Sequence, residues 1–140
     1  MEMKIEPRVW AAICYKHYDN VREILKENKI DPNYMESGKG LMHLIATTLE
    51  VDIAEMLLDM GADIDMKDGW GYTPVMRALF EYMQRDYEDD SMIRFLFDKG
   101  ASKEIPNDDE GANVKEDLAE LKAILKIKYP EKLKELDWLD

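Results

Sequence analysis

Glycine turns that recur at a fixed interval constrain this chain more than any other feature in it. Gly71 opens a turn followed by an apolar segment containing Val75, Met76, Ala78 and Leu79. Gly38, thirty-three residues earlier, opens another containing Met42, His43, Leu44, Ile45 and Ala46. A second motif, Leu57-Leu58 leading into Gly61-Ala62-Asp63, recurs as Leu96-Phe97 leading into Gly100-Ala101-Ser102, at an interval of thirty-nine. The difference of six must fall between the two halves of the third unit, where Tyr82 to Tyr87 is the stretch left over. A degenerate first copy runs through Val9-Trp10-Ala11-Ala12-Ile13, Val21, Ile24-Leu25 and Ile30-Asp31-Pro32-Asn33. Three copies of one two-part unit are readable, and a period of this size marks a stacked array.

Local chemistry gives each half of the unit a conformation. Pro74 suits the first turn of a helix, because its ring presets φ and its missing N–H has no helical acceptor there. Gly61 and Gly100 suit the left-handed position that terminates a helix. Apolar residues fall at helical spacing before each of them: Ile53, Met56 and Leu57, then Ile93, Leu96 and Phe97. Met42, Met56 and Met76 are core filler by the same spacing. A helix pair this short cannot bury its apolar face alone and must stack on neighbours.

With Gly71-x-Thr73-Pro74 and the leucine pair before Gly61-Ala62-Asp63 in one register, the chain resembles the ankyrin-repeat family over roughly residues 6 to 105. It departs from the family pattern at Gly40-Leu41, where Thr-Pro is usual, and at Asn28 and Lys29, where the turn glycine would fall. The resemblance implies an all-α solenoid of three helix-turn-helix units, about 6–33, 34–66 and 67–105. Each has a finger-like turn, an inner helix and an outer helix, and the fingers and inner helices form a concave binding face. It also makes His43 a structural histidine tying an inner helix to the neighbouring turn.

The ends are read as caps. Glu2, Lys4, Glu6 and Arg8 keep the first helix polar on its outer side, as an end unit requires. Residues 102–113 read as a loop around Pro106 and Gly111. Val114, Leu118, Leu121, Ile124 and Leu125 then recur as one face of an amphipathic helix. Pro130 ends it, and Leu133, Leu136 and Leu139 mark a final short helix with Trp138 as an anchor. Residues 113–140 thus read as a capping helix pair, completing a single domain over 1–140; a detachable partner-binding tail is the alternative.

Composition limits the remaining classes. Hydrophobic residues make up 46 % of 140, enough for a core. No apolar run approaches the roughly 20 residues that cross a bilayer, and the charged N-terminus has no apolar leader segment. One cysteine, Cys14, cannot form an internal disulfide, which fits a reducing cytoplasm; a host cell's cytoplasm after specialised export is the other option. The net charge is −12, which repels nucleic acid and anionic membranes and steers a basic partner. Solubility alone accounts for that charge equally well. Asp86, Glu88, Asp89 and Asp90 lie in and beside the six extra residues, and Asp108, Asp109 and Glu110 lie near the next finger; acidic loops there are either solvated or partner-facing.

Catalytic and metal constellations are not evident. Cys14 with His17 or His43 is a conceivable thiol and base, but the repeat register leaves His43 as scaffold and Cys14 near a helix end. Asp86-x-Glu88-x-Asp90 is followed by Ser91 where a calcium loop needs glycine and by Phe97 where it needs glutamate. No cofactor, metal or enzymatic activity is expected.

Binding remains. On the resemblance, the concave face carries Glu36, Ser37, Lys39, Thr47 and Thr48 from the second unit, and Gly69, Trp70, Tyr72, Phe80 and Glu81 from the third. Cys14 and Tyr15 come from the first. Trp70, Tyr72 and Phe80 stand out, because large aromatics left at surface positions favour interfaces; folding back over the adjacent repeat is their other explanation. Tyr82 and Tyr87 would extend the same patch. Two functions compete: an inhibitor or immunity-type protein that blocks a cognate, basic effector, and an adaptor or host-directed effector that tethers a protein into an assembly. The oligomeric state is open.

Overall fold

Pro74 sits in the first turn of a helix in the computed structural model of the chain, which describes residues 4–107 and 113–140. Three helix pairs follow the repeat: α1 (Ile5–Cys14) with α2 (Tyr18–Glu27), α3 (Leu41–Ala46) with α4 (Val51–Asp59), and α5 (Pro74–Gln84) with α6 (Ser91–Asp98). The inner helices stack in the order α1, α3, α5, and the outer helices in the order α2, α4, α6. The fold is an all-α solenoid. Among the described residues its only sheet is a two-residue hairpin in the second finger, β1 (Met35–Glu36) against β2 (Lys39–Gly40), with Met35 opposite Gly40.

The terminators behave as their chemistry requires. Gly61 and Gly100 follow α4 and α6 with φ of 102° and 96°. The next amide of each reaches back, Ala62 N–H to the Leu57 carbonyl and Ala101 N–H to the Leu96 carbonyl, both at 3.0 Å. Asn28, in place of that glycine, has φ −129° and instead donates its side-chain amide to the Ile24 carbonyl at 3.0 Å. Gly40, in place of threonine, also has a reason: a Cβ there would lie 2.8 Å from His43 Nδ1 and 2.9 Å from Met66 Cε.

One side chain per unit fixes the spacing between the loops that follow the outer helices. Glu6 accepts from the Asp31 amide, Asn33 Oδ1 from the Asp63 amide and Asp65 Oδ1 from the Ser102 amide, each at 2.8 Å. The same donor position is served at every step, so the loops are held in line. Arg22 adds a link between outer helices, pairing with Asp52 at 2.6 Å and with Glu50. These groups are partly exposed, so the pairs add little stability.

The six extra residues do not form a simple loop. Residues 80–84 lengthen α5 to 11 residues against 6 in α3, and residues 85–90 make the turn into α6. Asp86 and Tyr87 both take left-handed φ, 55° and 61°. Their amides close α5 by reaching back to the Met83 and Tyr82 carbonyls at 3.2 and 2.9 Å, and the C-terminal segment packs on this turn. After α7 (Val114–Lys128) come two short 3-10 turns, Pro130–Lys134 and Asp137–Leu139, in place of the expected final helix. Trp138 is only 6 % exposed. It stacks against Phe97, meets Tyr82 edge-on at 5.7 Å, and donates its indole N–H to Asp90 at 2.6 Å. Tyr129 packs on Tyr87 and donates its hydroxyl to Asp86 at 2.9 Å, and Lys132 donates to the Tyr87 carbonyl. Buried residues of the three helix pairs, with Val114, Leu118, Leu121, Leu125, Leu136, Trp138 and Leu139, form one continuous core.

His43 lies at 2 % exposure on α3 and donates from Nε2 to the Tyr72 carbonyl at 2.9 Å, tying α3 to the third finger. Burial lowers its pKa from 6.5, against the opposing pull of Asp68. The unfolded chain therefore takes up a proton on His43 before the folded one does. Stability supplied by the neutral ring is complete above pH 6.5 and is lost as pH falls below it. Urea midpoints measured from pH 7.5 downward should drop in that window, and His43→Gln should flatten the drop; an unchanged slope in the variant would sink the assignment.

Candidate protein-binding face

The third finger is built on one carboxylate. Asp68 has a side chain with 0 % exposure. Its Oδ1 accepts the amides of Trp70 at 2.9 Å and Tyr72 at 3.0 Å, and its Oδ2 accepts Arg77 Nε at 2.8 Å and Nη2 at 2.7 Å. Its own amide donates to the Tyr72 carbonyl at 2.8 Å, closing the turn. Burial alone would raise the pKa of this carboxyl. The hydrogen bonds from Tyr72, Arg77 and Trp70 outweigh burial and hold it below 3.8.

Arg77 carries that order out to the surface. Its guanidinium lies 4.5 Å from the Tyr72 ring centre and 5.6 Å from that of Trp70, within cation–π range. Tyr72 in turn meets Phe80 edge-on at 5.5 Å. Lys39 Nζ approaches the other fingertip, 6.0 Å from the Trp70 ring. Trp70 and Phe80 remain 47 % and 43 % exposed. The second and third fingers touch through glycines: Gly69 donates to the Gly38 carbonyl at 2.7 Å, and a Cβ on Gly38 would come within 3.1 Å of the Trp70 ring. Gly38 is also left-handed at φ 77°, so both backbone and space require glycine there. Trp10 docks the first unit onto this pair by donating to the Lys39 carbonyl at 3.0 Å.

Of the residues expected to bind, Trp70, Tyr72, Phe80 and Lys39 come together in this cluster. Glu81 lies apart, paired with Arg85 at 3.3 Å, and Arg85 reaches the Thr47 carbonyl at 3.2 Å. With Thr48, Cys14 and Tyr18 they line a separate hollow of about 380 Å³ at the ends of the inner helices. The hydroxyls of Thr47 and Thr48 each donate to a carbonyl of α3 at 2.7 Å, so they are engaged within the helix end. Glu36 accepts the Tyr34 hydroxyl at 2.7 Å, and Ser37 is exposed at the tip with φ 52°. Tyr15 is open to solvent.

Two expected members are corrected. Tyr82 and Tyr87 are 4 % and 6 % exposed and pack edge-on against each other at 5.5 Å beneath Trp138 and Tyr129. Burial, reinforced by Asp90, pushes the Tyr82 phenol up to about 12. They hold the C-terminal segment and offer no surface to a partner. Of the neighbouring acids, Asp86 and Asp90 are engaged by that segment, and Asp89 accepts the Ser91 amide at 2.9 Å. Asp108, Asp109 and Glu110 lie outside the described residues. Cys14 is exposed, and partial desolvation raises its pKa, the opposite of an activated thiol. Asp68 and Arg77 were missed from sequence; the only local signal was an aspartate opening a Gly-x-Gly turn, a placement favoured by side-chain to backbone hydrogen bonds.

Helix pairs stacked behind glycine-tipped fingers define a class of repeat scaffold that presents a concave face. The family description "Ankyrin repeats (3 copies)" matches residues 9–107, and the chain belongs to the ankyrin-repeat family. It is 32 % identical over 84 residues to Serine/threonine-protein kinase 12 of Arabidopsis thaliana, covering 59 % of this chain and 17 % of that protein. To a putative ankyrin repeat protein of Rickettsia felis it is 33 % identical over 64 residues, covering 41 % and 28 %. To Tyrosine-protein kinase HTK16 of Hydra vulgaris it is 30 % identical over 109 residues, covering 74 % and 14 %. The chain thus spans under a third of the length of each of these relatives. Ankyrin repeats are in general non-catalytic modules for protein–protein interaction. Among the described residues no helix is long and apolar enough to cross a membrane, and no group of His, Cys, Asp or Glu is arranged to hold a metal ion.

Proposed function

We propose that this chain is a non-catalytic inhibitor, of the immunity-protein kind, that binds a basic effector protein through its concave face and blocks it. The observation that carries this reading is the third finger. Trp70 and Phe80 are exposed, yet the turn beneath them is pinned by buried Asp68 and its pair with half-buried Arg77. Aromatics held rigid before contact lose little entropy on binding, which is the property of an interface anchor. The net charge of −12 supports a basic partner by long-range steering. A tethering adaptor asks for a second free surface on the C-terminal segment. Leu136, Trp138 and Leu139 are spent there on internal packing, which favours the single-surface reading.

Capture of the partner from the native source, with wild type, Trp70→Ala and Tyr72→Ala side by side, tests the site. Loss of an aromatic anchor costs about 2 kcal/mol or more, roughly a thirtyfold drop in affinity. Unchanged affinity in both variants would place the interface elsewhere. Stoichiometric addition to the purified partner should then abolish the partner's activity, and association should slow as salt is raised. A partner that stays fully active when bound is tethered, not inhibited.

A further inference from the structure

The inner helices α1, α3 and α5 pack directly on one another, but α5 and α7 stand apart and leave a groove of about 390 Å³ between them. Its apolar side is made by Leu79, Phe80 and Met83 of α5 with Leu121 of α7, and Tyr72 of the finger lies at one end. Its other side carries the carboxylates of Asp117 and Glu120. Two features make this more than a packing defect. Phe80 and Met83 keep 43 % and 37 % of their surface in water although both are large and apolar. Tyr72 and Phe80 also belong to the aromatic cluster of the finger, so the groove continues the face proposed above.

Resting on the protein-binding reading of that face, we infer that the α5–α7 groove seats a peptide segment of the partner in which a large apolar side chain stands next to a lysine or arginine. The apolar residue enters between Phe80, Met83 and Leu121, where the unbranched methionine adapts to its shape. The adjacent cation faces Glu120 at the rim, in a chain whose overall charge already favours it. An acidic or purely apolar segment lacks half of this match. The six extra residues thus create binding surface indirectly: they lengthen α5 by the turn that carries Met83, while buried Tyr82 beside it holds the C-terminal segment.

Selection of a display library of random dodecapeptides against the full chain tests this without the natural partner. The expected result is enrichment of peptides pairing an apolar residue with Lys or Arg. Their affinity should fall about tenfold in Glu120→Lys, which reverses the rim charge, and comparably in Met83→Ala. Both positions are solvent-accessible, and thermal melts matching wild type confirm that the variants fold. Failure to enrich any peptide, enrichment without basic residues, or binding indifferent to both substitutions overturns the inference. Peptides weakened by Trp70→Ala but not by the groove variants would overturn it while sparing the finger. Peptides weakened by the groove variants but not by Trp70→Ala would uphold it and remove the finger from the site.

Discussion

Trp138→Ala is expected to cost about 4 kcal/mol of folding stability, in the range found when a buried tryptophan is truncated. The indole fills the space between Phe97 and Tyr82 and its N–H donates to Asp90, so the substitution leaves a cavity and removes one of the donors to that carboxylate. The loss should not stay local. Arg94 pairs with Asp90 at 2.8 Å and with Asp137 at 2.6 Å, and it also donates to the Glu135 carbonyl, so α6 is tied to the same segment. Urea unfolding followed by circular dichroism should show a lower midpoint, and amide hydrogen exchange should accelerate at Tyr82, Tyr87 and residues 129–139. A melt as cooperative and as late as wild type, with fast exchange confined to 129–139, would mean that the segment decorates the array without stabilising it.

Asp68→Ala is expected to cost about 3 kcal/mol, because it strips the partner from a guanidinium and leaves the amides of Trp70 and Tyr72 without an acceptor. Asp68→Asn separates the two contributions. Its carbonyl oxygen can still accept the two amides, while the charge facing Arg77 is gone, so roughly half of the loss should return. The carboxylate also predicts an acidic limit. Its folded pKa is lowered, so the stability it supplies is present above pH 3.8 and is lost as pH falls through the folded value. That window opens at pH 3.8, against 6.5 for His43, and an Asp68→Asn comparison across pH 5 to 2 tests it. Near-ultraviolet circular dichroism should report the Trp70 and Tyr72 environment directly. A signal unchanged in Asp68→Ala would show that the finger holds its shape without this anchor.

How much of this was legible depends on whether the determinant is local. Gly61, Gly100 and Pro74 act through their own backbone, so the register and the helix pairs could be read directly, while the structural role of His43 came with the family resemblance. The outward-facing Trp70 and Phe80 followed from the same register. Tyr82 and Tyr87 did not. Their fate is decided by Tyr129 and Trp138, which lie far away in the chain and carry no repeat signal of their own. The stretch looked like an inserted loop because nothing local distinguishes a tyrosine that meets a partner from one that meets a distant turn. Arg77 was overlooked for a related reason. It occupies an ordinary helix position, and only the approach of Asp68, Trp70 and Tyr72 gives it a role. The resemblance groups Glu81, Thr47 and Thr48 with the finger, but they line a separate hollow and are engaged with Arg85 and helix carbonyls, a distinction that needs geometry.

The left-handed pair Asp86 and Tyr87 bears on the order in which the chain assembles. Two consecutive non-glycine residues in that conformation carry a cost of about 1–2 kcal/mol each. The amides of Asp86 and Tyr87 offset part of it by bonding the Met83 and Tyr82 carbonyls, and Tyr129, Lys132 and Trp138 add contacts from the C-terminal segment. During synthesis the first two units leave the ribosome with their stacking partners already at hand, whereas the turn of the third waits for residues made some forty positions later. The contacts that brace the third turn are therefore among the last to become available, and a ribosome paused before Tyr129 would hold a nascent chain without them.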